Sequence, residues 1–291
     1  MSCVQSEPWW NSSRIPLRVD WEAAVGPAIA LYNQVMSEAP LPLRIRVRRR
    51  PRVNLIGVAG EVFVTMAVLT FLFLGWQLWF NNVVASSGQR GAAEVLSEKW
   101  NSEQQTTQAD DIPVVAGEPV VMAAPEAAAA FANLIIPSLG ADYKRPIGEG
   151  ISPDVLNSLR LGIGHYPQTQ LPGQVGNFAL AAHRSAYGGA FHDIHQLAVG
   201  DAIYVETADG WYKYVFRGLE YVRASGIGVI LPVPQNAAAT ATERMITLTT
   251  CNPFYSTRER MIAYGIFDSW YPRADGPPAE IVDIATATTG D

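Results

Sequence analysis

The sequence predicts a mainly β domain, a closed antiparallel barrel or a sandwich with a few short helices, preceded by one membrane-spanning helix. Three observations carry that prediction. Leu55 to Phe80 is an apolar run of 26 residues with one formal charge; Phe131 to Tyr271 is a series of short β-type runs separated by turn residues; and the chain is rich in Gly (24) and Pro (20) while only 16 % charged. A length of 291 residues gives ample core for such a domain, so a disulfide-dependent miniprotein is excluded.

The charge balance narrows the function classes. Twenty-one basic against 27 acidic side chains leave a net charge of −6, which argues against a nucleic-acid binder. The mean conceals an asymmetry: residues 1–52 hold eight arginines and four acids, whereas the remainder is strongly acidic. Two cysteines, Cys3 and Cys251, rule out a disulfide framework and a four-cysteine zinc site.

Residues 1–52 form a basic segment that ends in RIRVRRRPR, with six arginines from Arg44 to Arg52. Residues 53–80 follow as the span, LIGVAGEVFVTMAVLTFLFLGWQLWF from Leu55, with Glu61 its one formal charge. At about 1.5 Å per residue it exceeds the roughly 30 Å of bilayer hydrocarbon, so it crosses with tilt. Glu61 lies near the basic end, where hydration or protonation makes it tolerable. The arginines on one side and the uncharged Asn81–Gly88 on the other put the N-terminus in the cytoplasm and the rest outside, with Trp76 and Trp79 at the outer interface. The apolar run is too long for a cleaved signal peptide, so it reads as a signal anchor of a single-pass membrane protein. On that topology Cys3 and Cys251 are in different compartments and cannot pair.

Residues 81–112 are polar, apart from a short amphipathic piece around Ala92 to Trp100, and residues 81–125 read as an extracellular stalk and linker. The β domain occupies residues 126–272. Expected strands are Ala132–Ile136, Asn177–Ala182, Ala202–Thr207, Tyr212–Leu219, Gly228–Leu231, Met245–Cys251 and Arg260–Phe267. Asp209-Gly210 between IYVET and WYKYVF marks a hairpin. Helical periodicity is confined to Pro153–Leu159 and Ala190–Gln196. Residues 273–291, rich in Pro, Ala and Thr, read as a flexible tail.

Candidate chemistry gathers at strand exits. In MITLTTC, Ile246 and Leu248 share one face while Thr247, Thr249 and Cys251 share the other, and Cys251 is the last residue before Asn252-Pro253. A lone cysteine is either a buried apolar filler or a nucleophile. His183 closes the strand Asn177–Ala182. His192 and His195 give two metal-ligand types without a third at suitable spacing, so no metal site is expected. His165, among turn residues, packs or caps a loop. Arg258 and Arg260 follow Cys251 closely enough for a hairpin to return one of them beside the thiol, where a cation stabilises a thiolate or an oxyanion.

TLTTC, then STRERMIAYG, with NFALAAHRSAYGGAFHDI about seventy residues upstream, resembles the sortases. HRSAYGGAFHD, GIGHYPQTQLPGQVGN and ERMITLTTCNPFYSTRERMI resemble specifically the class E sortases of high-GC Gram-positive bacteria, over residues 126–271. The resemblance implies an eight-stranded β-barrel and a cysteine transpeptidase without a cofactor. Cys251 is then the nucleophile and His183 the general acid/base. Arg260 is the oxyanion-stabilising cation, taken over Arg258 because it directly precedes the apolar strand MIAYG. The implied reaction cleaves an LAxTG- or LPxTG-like sorting signal between Thr and Gly through a thioester. It then joins the secreted protein to an amine of a peptidoglycan precursor of lipid II type. Tyr187 would line the recognition groove, and Thr249 and Thr250 either contact the peptide or pack. Alternatives are a pilin-polymerising sortase, a thiol hydrolase and an inactive β-barrel binding module.

Overall fold

The computed structural model of the protein describes residues 21–37, 54–107 and 118–287. Cys3 and the arginine run lie outside the described residues, so the basic segment is described only at helix α1 (Trp21–Ser37). The chain divides into two units, Met1–Ala59 and Gly60–Asp291. In the first, α1 exposes Val25, Ile29, Tyr32 and Val35.

Helix α2 (Leu55–Gly75) is 21 residues long with a mean hydropathy of 2.1 and no buried residue, long and apolar enough to cross a bilayer. A π-helical turn, Trp76–Phe80, continues it directly into α3 (Asn81–Thr107). The expected stalk is therefore not a free spacer over this stretch. α3 runs against the barrel and buries Ala85, Gln89, Ala93, Ser97 and Trp100, a stripe at three- and four-residue spacing. Apart from Trp100, in the amphipathic piece noted in the sequence, the stripe is made of small and polar side chains, which give little hydropathy signal.

Eight strands close a barrel in the order β1-β2-β3-β4-β7-β8-β6-β5. They are β1 (Ala130–Ile135), β2 (Lys144–Glu149), β3 (Ile163–His165), β4 (Gly176–Ala182), β5 (Ala202–Glu206), β6 (Gly210–Arg223), β7 (Arg244–Asn252) and β8 (Glu259–Pro272). Closure leaves no free edge. The Asp209-Gly210 hairpin is present, joining β5 to β6. Three expectations need correction. The barrel is not wholly antiparallel, because β2–β3 and β4–β7 are parallel pairs. β3 returns to β2 only after α4 (Pro153–Leu156), and β5 and β6 intervene between β4 and β7, so neither pair is a hairpin. Gly228–Leu231 is not a strand; Ile227–Ile230 forms a 3₁₀ turn, and Val229 within it and Leu231 after it accept hydrogen bonds from the Asn177 side chain at their carbonyls. β2 and β3 carry too little β-branched alternation to be legible: KRPIGE contains a proline, and IGH is three residues long.

The barrel interior is filled by side chains such as Leu134, Phe178, Leu180, Tyr214, Ile246, Leu248 and Ala263. A second cluster covers the outside. Ile135, Tyr204 and Trp211 pack against Ile281, Ile284 and Ala285 of the C-terminal segment, which ends in α5 (Val282–Thr286). Up to residue 287 that segment is ordered cover and not a loose tail, because its apolar residues recur at helical spacing and Glu280 binds both Lys213 and Tyr204. Between α3 and the strands, buried Glu206 receives hydrogen bonds from Ser97, Asn133 and Arg273, with Lys144 Nζ 3.7 Å away.

Candidate active site

Three adjacent strands deliver the three groups expected from the sequence. Alternation along each strand sets their direction. Phe178, Leu180 and Ala182 of β4, Ile246 and Leu248 of β7, and Met261 and Ala263 of β8 point into the barrel, so His183, Cys251 and Arg260 emerge on its outer face. Cys251 is paired directly with Arg260 in the antiparallel β7–β8 ladder. The parallel β4–β7 ladder pairs Ala181 with Thr249, and the same register carried two residues on sets His183 level with Cys251. The thiol thus sits between an imidazole on one side and a guanidinium on the other. Cys251 is half-buried and unpaired.

Each neighbour is held. His183 Nε2 lies 2.8 Å from Asn157 Oδ1, the residue that caps α4. An amide oxygen only accepts, so Nε2 carries the proton and Nδ1 keeps its lone pair. Burial holds the His183 pKa below its ordinary value of 6.5, so the resting imidazole is neutral at physiological pH. The Tyr187 ring packs on the imidazole with centroids 5.2 Å apart. Arg260 Nη1 donates to the carbonyls of Thr257 and Glu259, at 2.9 and 3.0 Å, and among the described residues no carboxylate neutralises it. Arg258 is exposed and lies before β8, outside the strand that faces the thiol.

One step further along the chain a second polar rung lies on the opposite side. Arg184 donates to Asn252 Oδ1 and stacks over Phe254 at 3.9 Å, while Asn252 donates to Glu259 across the β7–β8 pair. It ties the three strand ends together next to Cys251 and Arg260. Sequence reading passed over Arg184, Asn252, Glu259 and Asn157; only Arg184 carried a signal, its position next to His183.

Thr249 and Thr250 are buried, and their hydroxyls donate to Leu180 and Ala182 carbonyls, which fastens β7 to β4. These contacts fit the packing alternative, and Thr249 Oγ1 also shares a hydrogen bond with Tyr166 Oη at 3.1 Å. Tyr187, 45 % exposed, lines a cavity of about 580 Å³ with Val84, Ala85, Leu159, Ser185 and Ala186. His165 is buried, bonded to Glu149 at 2.7 Å and packed beside Phe131 and Phe178. His192 and His195 are exposed, and no group of three metal-ligating side chains occurs among the described residues.

A closed eight-stranded barrel bearing a thiol between an imidazole and a guanidinium has the architecture of a cysteine transpeptidase. Residues 134–267 match the Sortase domain family. Sortase SrtE1 of Streptomyces coelicolor is 34 % identical over 258 residues, covering 84 % of this chain and 68 % of that protein. Sortase SrtE2 of the same organism is 30 % identical over 227 residues, covering 76 % and 86 %. Among solved structures, the SrtA sortase from Actinomyces oris superposes with a TM-score of 0.54 at 37 % identity, covering 57 % of this chain and 95 % of that one. The chain belongs to the sortase family of cysteine transpeptidases, as a class E member.

Proposed function

We propose that this sortase cleaves an LAxTG- or LPxTG-like sorting signal between Thr and Gly and joins the released acyl group to a cell-wall peptidoglycan amine. The observation that carries the reading is the direct pairing of Cys251 with Arg260 across β7–β8, with His183 following the last residue of β4, the strand that pairs with β7 on its other side. Neutral His183, with its Nδ1 lone pair, accepts the Cys251 proton, and the sulfur attacks the threonine carbonyl. Arg260 opposes the oxyanion of the tetrahedral intermediate; that charge exists only on the way over the barrier, so the contact lowers it. The imidazolium then protonates the departing glycine amine, leaving a thioester on Cys251. An incoming amine gives its proton to His183, attacks the thioester and releases the thiol. Tyr187 contributes a wall of the peptide groove, and Thr249 and Thr250 serve packing.

The span Leu55–Gly75 belongs to this function as a tether. We place the N-terminus in the cytoplasm, from the six arginines ahead of the span, and the barrel outside. On the outer face the enzyme shares a surface with membrane-held substrates, which raises their effective concentration. Incubation of the full chain with an LAxTG peptide, with and without a diaminopimelate or glycine amine, tests the reading. A Cys251 acyl adduct by mass spectrometry and an amide product with the amine are expected. Acid product alone indicates a thiol hydrolase, and no product at all a binding module.

A further inference from the structure

Gln89 lies in the N-terminal third of α3, remote in sequence from every group of the reaction, and is fully buried. Its amide nitrogen donates to two backbone carbonyls, Ser158 O and Tyr187 O, each at 3.0 Å. Both partners only accept, so the amide nitrogen must face them. These two carbonyls belong to the two loops that hold the His183 ring. Ser158 follows Asn157, whose oxygen fixes Nε2, and Tyr187 is the residue stacked on the imidazole.

The surroundings are shaped for this contact. A Cβ at Gly162 would meet Gln89 Nε2 at 2.2 Å and one at Gly188 would meet Gln89 Oε1 at 2.9 Å, and both glycines have positive φ. Tyr187 has φ +49°, a left-handed conformation that disfavours a tyrosine by roughly 1–2 kcal/mol. Its carbonyl bond to Gln89 and its ring contact with His183 oppose that cost. Seven residues earlier on the same helix, Asn82 grips the same loop, donating to Ser185 O and accepting from Gly188 N.

We infer that Gln89 is a positioning residue for the reaction: from the helix that continues the membrane span, it clamps the Asn157 and Tyr187 loops and thereby aims the His183 imidazole at Cys251. The inference rests on the reading of His183 as acid/base. The titratable group packed against that ring is Tyr187 of its own loop; Cys251 is on β7, the strand paired with β4, and Arg260 is opposite it on β8, while Arg184 is turned away onto Asn252 and Phe254. Loss of the clamp loosens both loops, turns the ring off its line and lets water reach it.

The test uses the full-length chain in detergent or bilayer, with Gln89→Met, which keeps the side-chain length and removes both donors. Expected are a drop in the acylation kcat with an LAxTG peptide of roughly tenfold to a hundredfold, little change in KM, and an acid limb of the pH profile moved up toward 6.5. An unchanged rate and acid limb, a loss confined to KM, or a loss matched only by a lower melting temperature overturns the proposal. Should Gln89→Met fail to fold, Gln89→Asn, one methylene short of the second carbonyl, is read by the same outcomes. His183→Ala is the control. If it retains the full rate, the acid/base reading itself has failed; if it is inactive while Gln89→Met is unaffected, only the clamp has.

Discussion

Cys251 and Arg260 face each other directly across the β7–β8 pair, so thiol and guanidinium leave the same side of the barrel from positions where Cα atoms are about 4.5–5.5 Å apart. Backbone hydrogen bonds of two strands fix that relationship, and no loop has to close to create it.

For this reason Arg260→Ala is expected to lower kcat by about 10²–10³-fold, the range for removal of an oxyanion donor, while thermal unfolding changes little. Arg260→Lys should recover only part of the rate, since an ammonium on a flexible stem cannot both bind the Thr257 and Glu259 carbonyls and present a fixed donor. A kcat equal to wild type in Arg260→Ala would remove the residue from the mechanism.

Cys251→Ala should abolish the acyl adduct altogether and leave the circular dichroism of the barrel intact, because the side chain is half-buried at a strand end and contributes little packing. Thioester detected elsewhere in this variant by mass spectrometry would show that another residue is the nucleophile.

His183 sets an acid limit. Its folded pKa lies below 6.5, so kcat/KM should fall with an acid midpoint below that value. Stability follows the same sign: the unfolded chain takes up the proton first, so the contribution is present above 6.5 and is lost as pH falls through the folded pKa. His183→Gln should flatten this part of a melting-temperature profile, and an equal slope in both proteins would refute the assignment.

Glu206 tests what holds α3 to the barrel. Its carboxylate lies among Lys144, Arg273, Ser97 and Asn133, all buried. Glu206→Ala would leave two cations without a counter-charge and should cost about 3–5 kcal/mol in denaturant unfolding. A loss under about 1 kcal/mol would mean that water replaces the carboxylate without difficulty.

The predicted strands were legible where one face alternates. MITLTTC and NFALAA announce their inward side chains, and the observed β7 and β4 extend those runs by only a residue or two. The roles proposed for Cys251, His183 and Arg260 came from the resemblance to sortases, while the residues themselves showed only a cysteine, a histidine and an arginine at strand ends; the structure puts those ends on the neighbouring strands β4, β7 and β8. β2, β3 and the covering role of α3 were not legible. A three-residue strand and a helix stripe whose one large apolar member is Trp100, the rest being Ala, Gln and Ser, carry little periodic hydrophobic signal.

The sequence by itself determined one apolar span, a β domain after it, and a cysteine, histidine and arginine at strand exits, because these depend on local composition and on side chains alternating along a strand. The tertiary structure alone decided that two of the pairings are parallel, that Asn157 leaves Nδ1 of His183 bare, and that Gln89 reaches two loops, 69 and 98 residues away, at once. Such contacts arise from barrel closure, which brings together backbone carbonyls that carry no residue identity, and so no residue pattern along the chain encodes them.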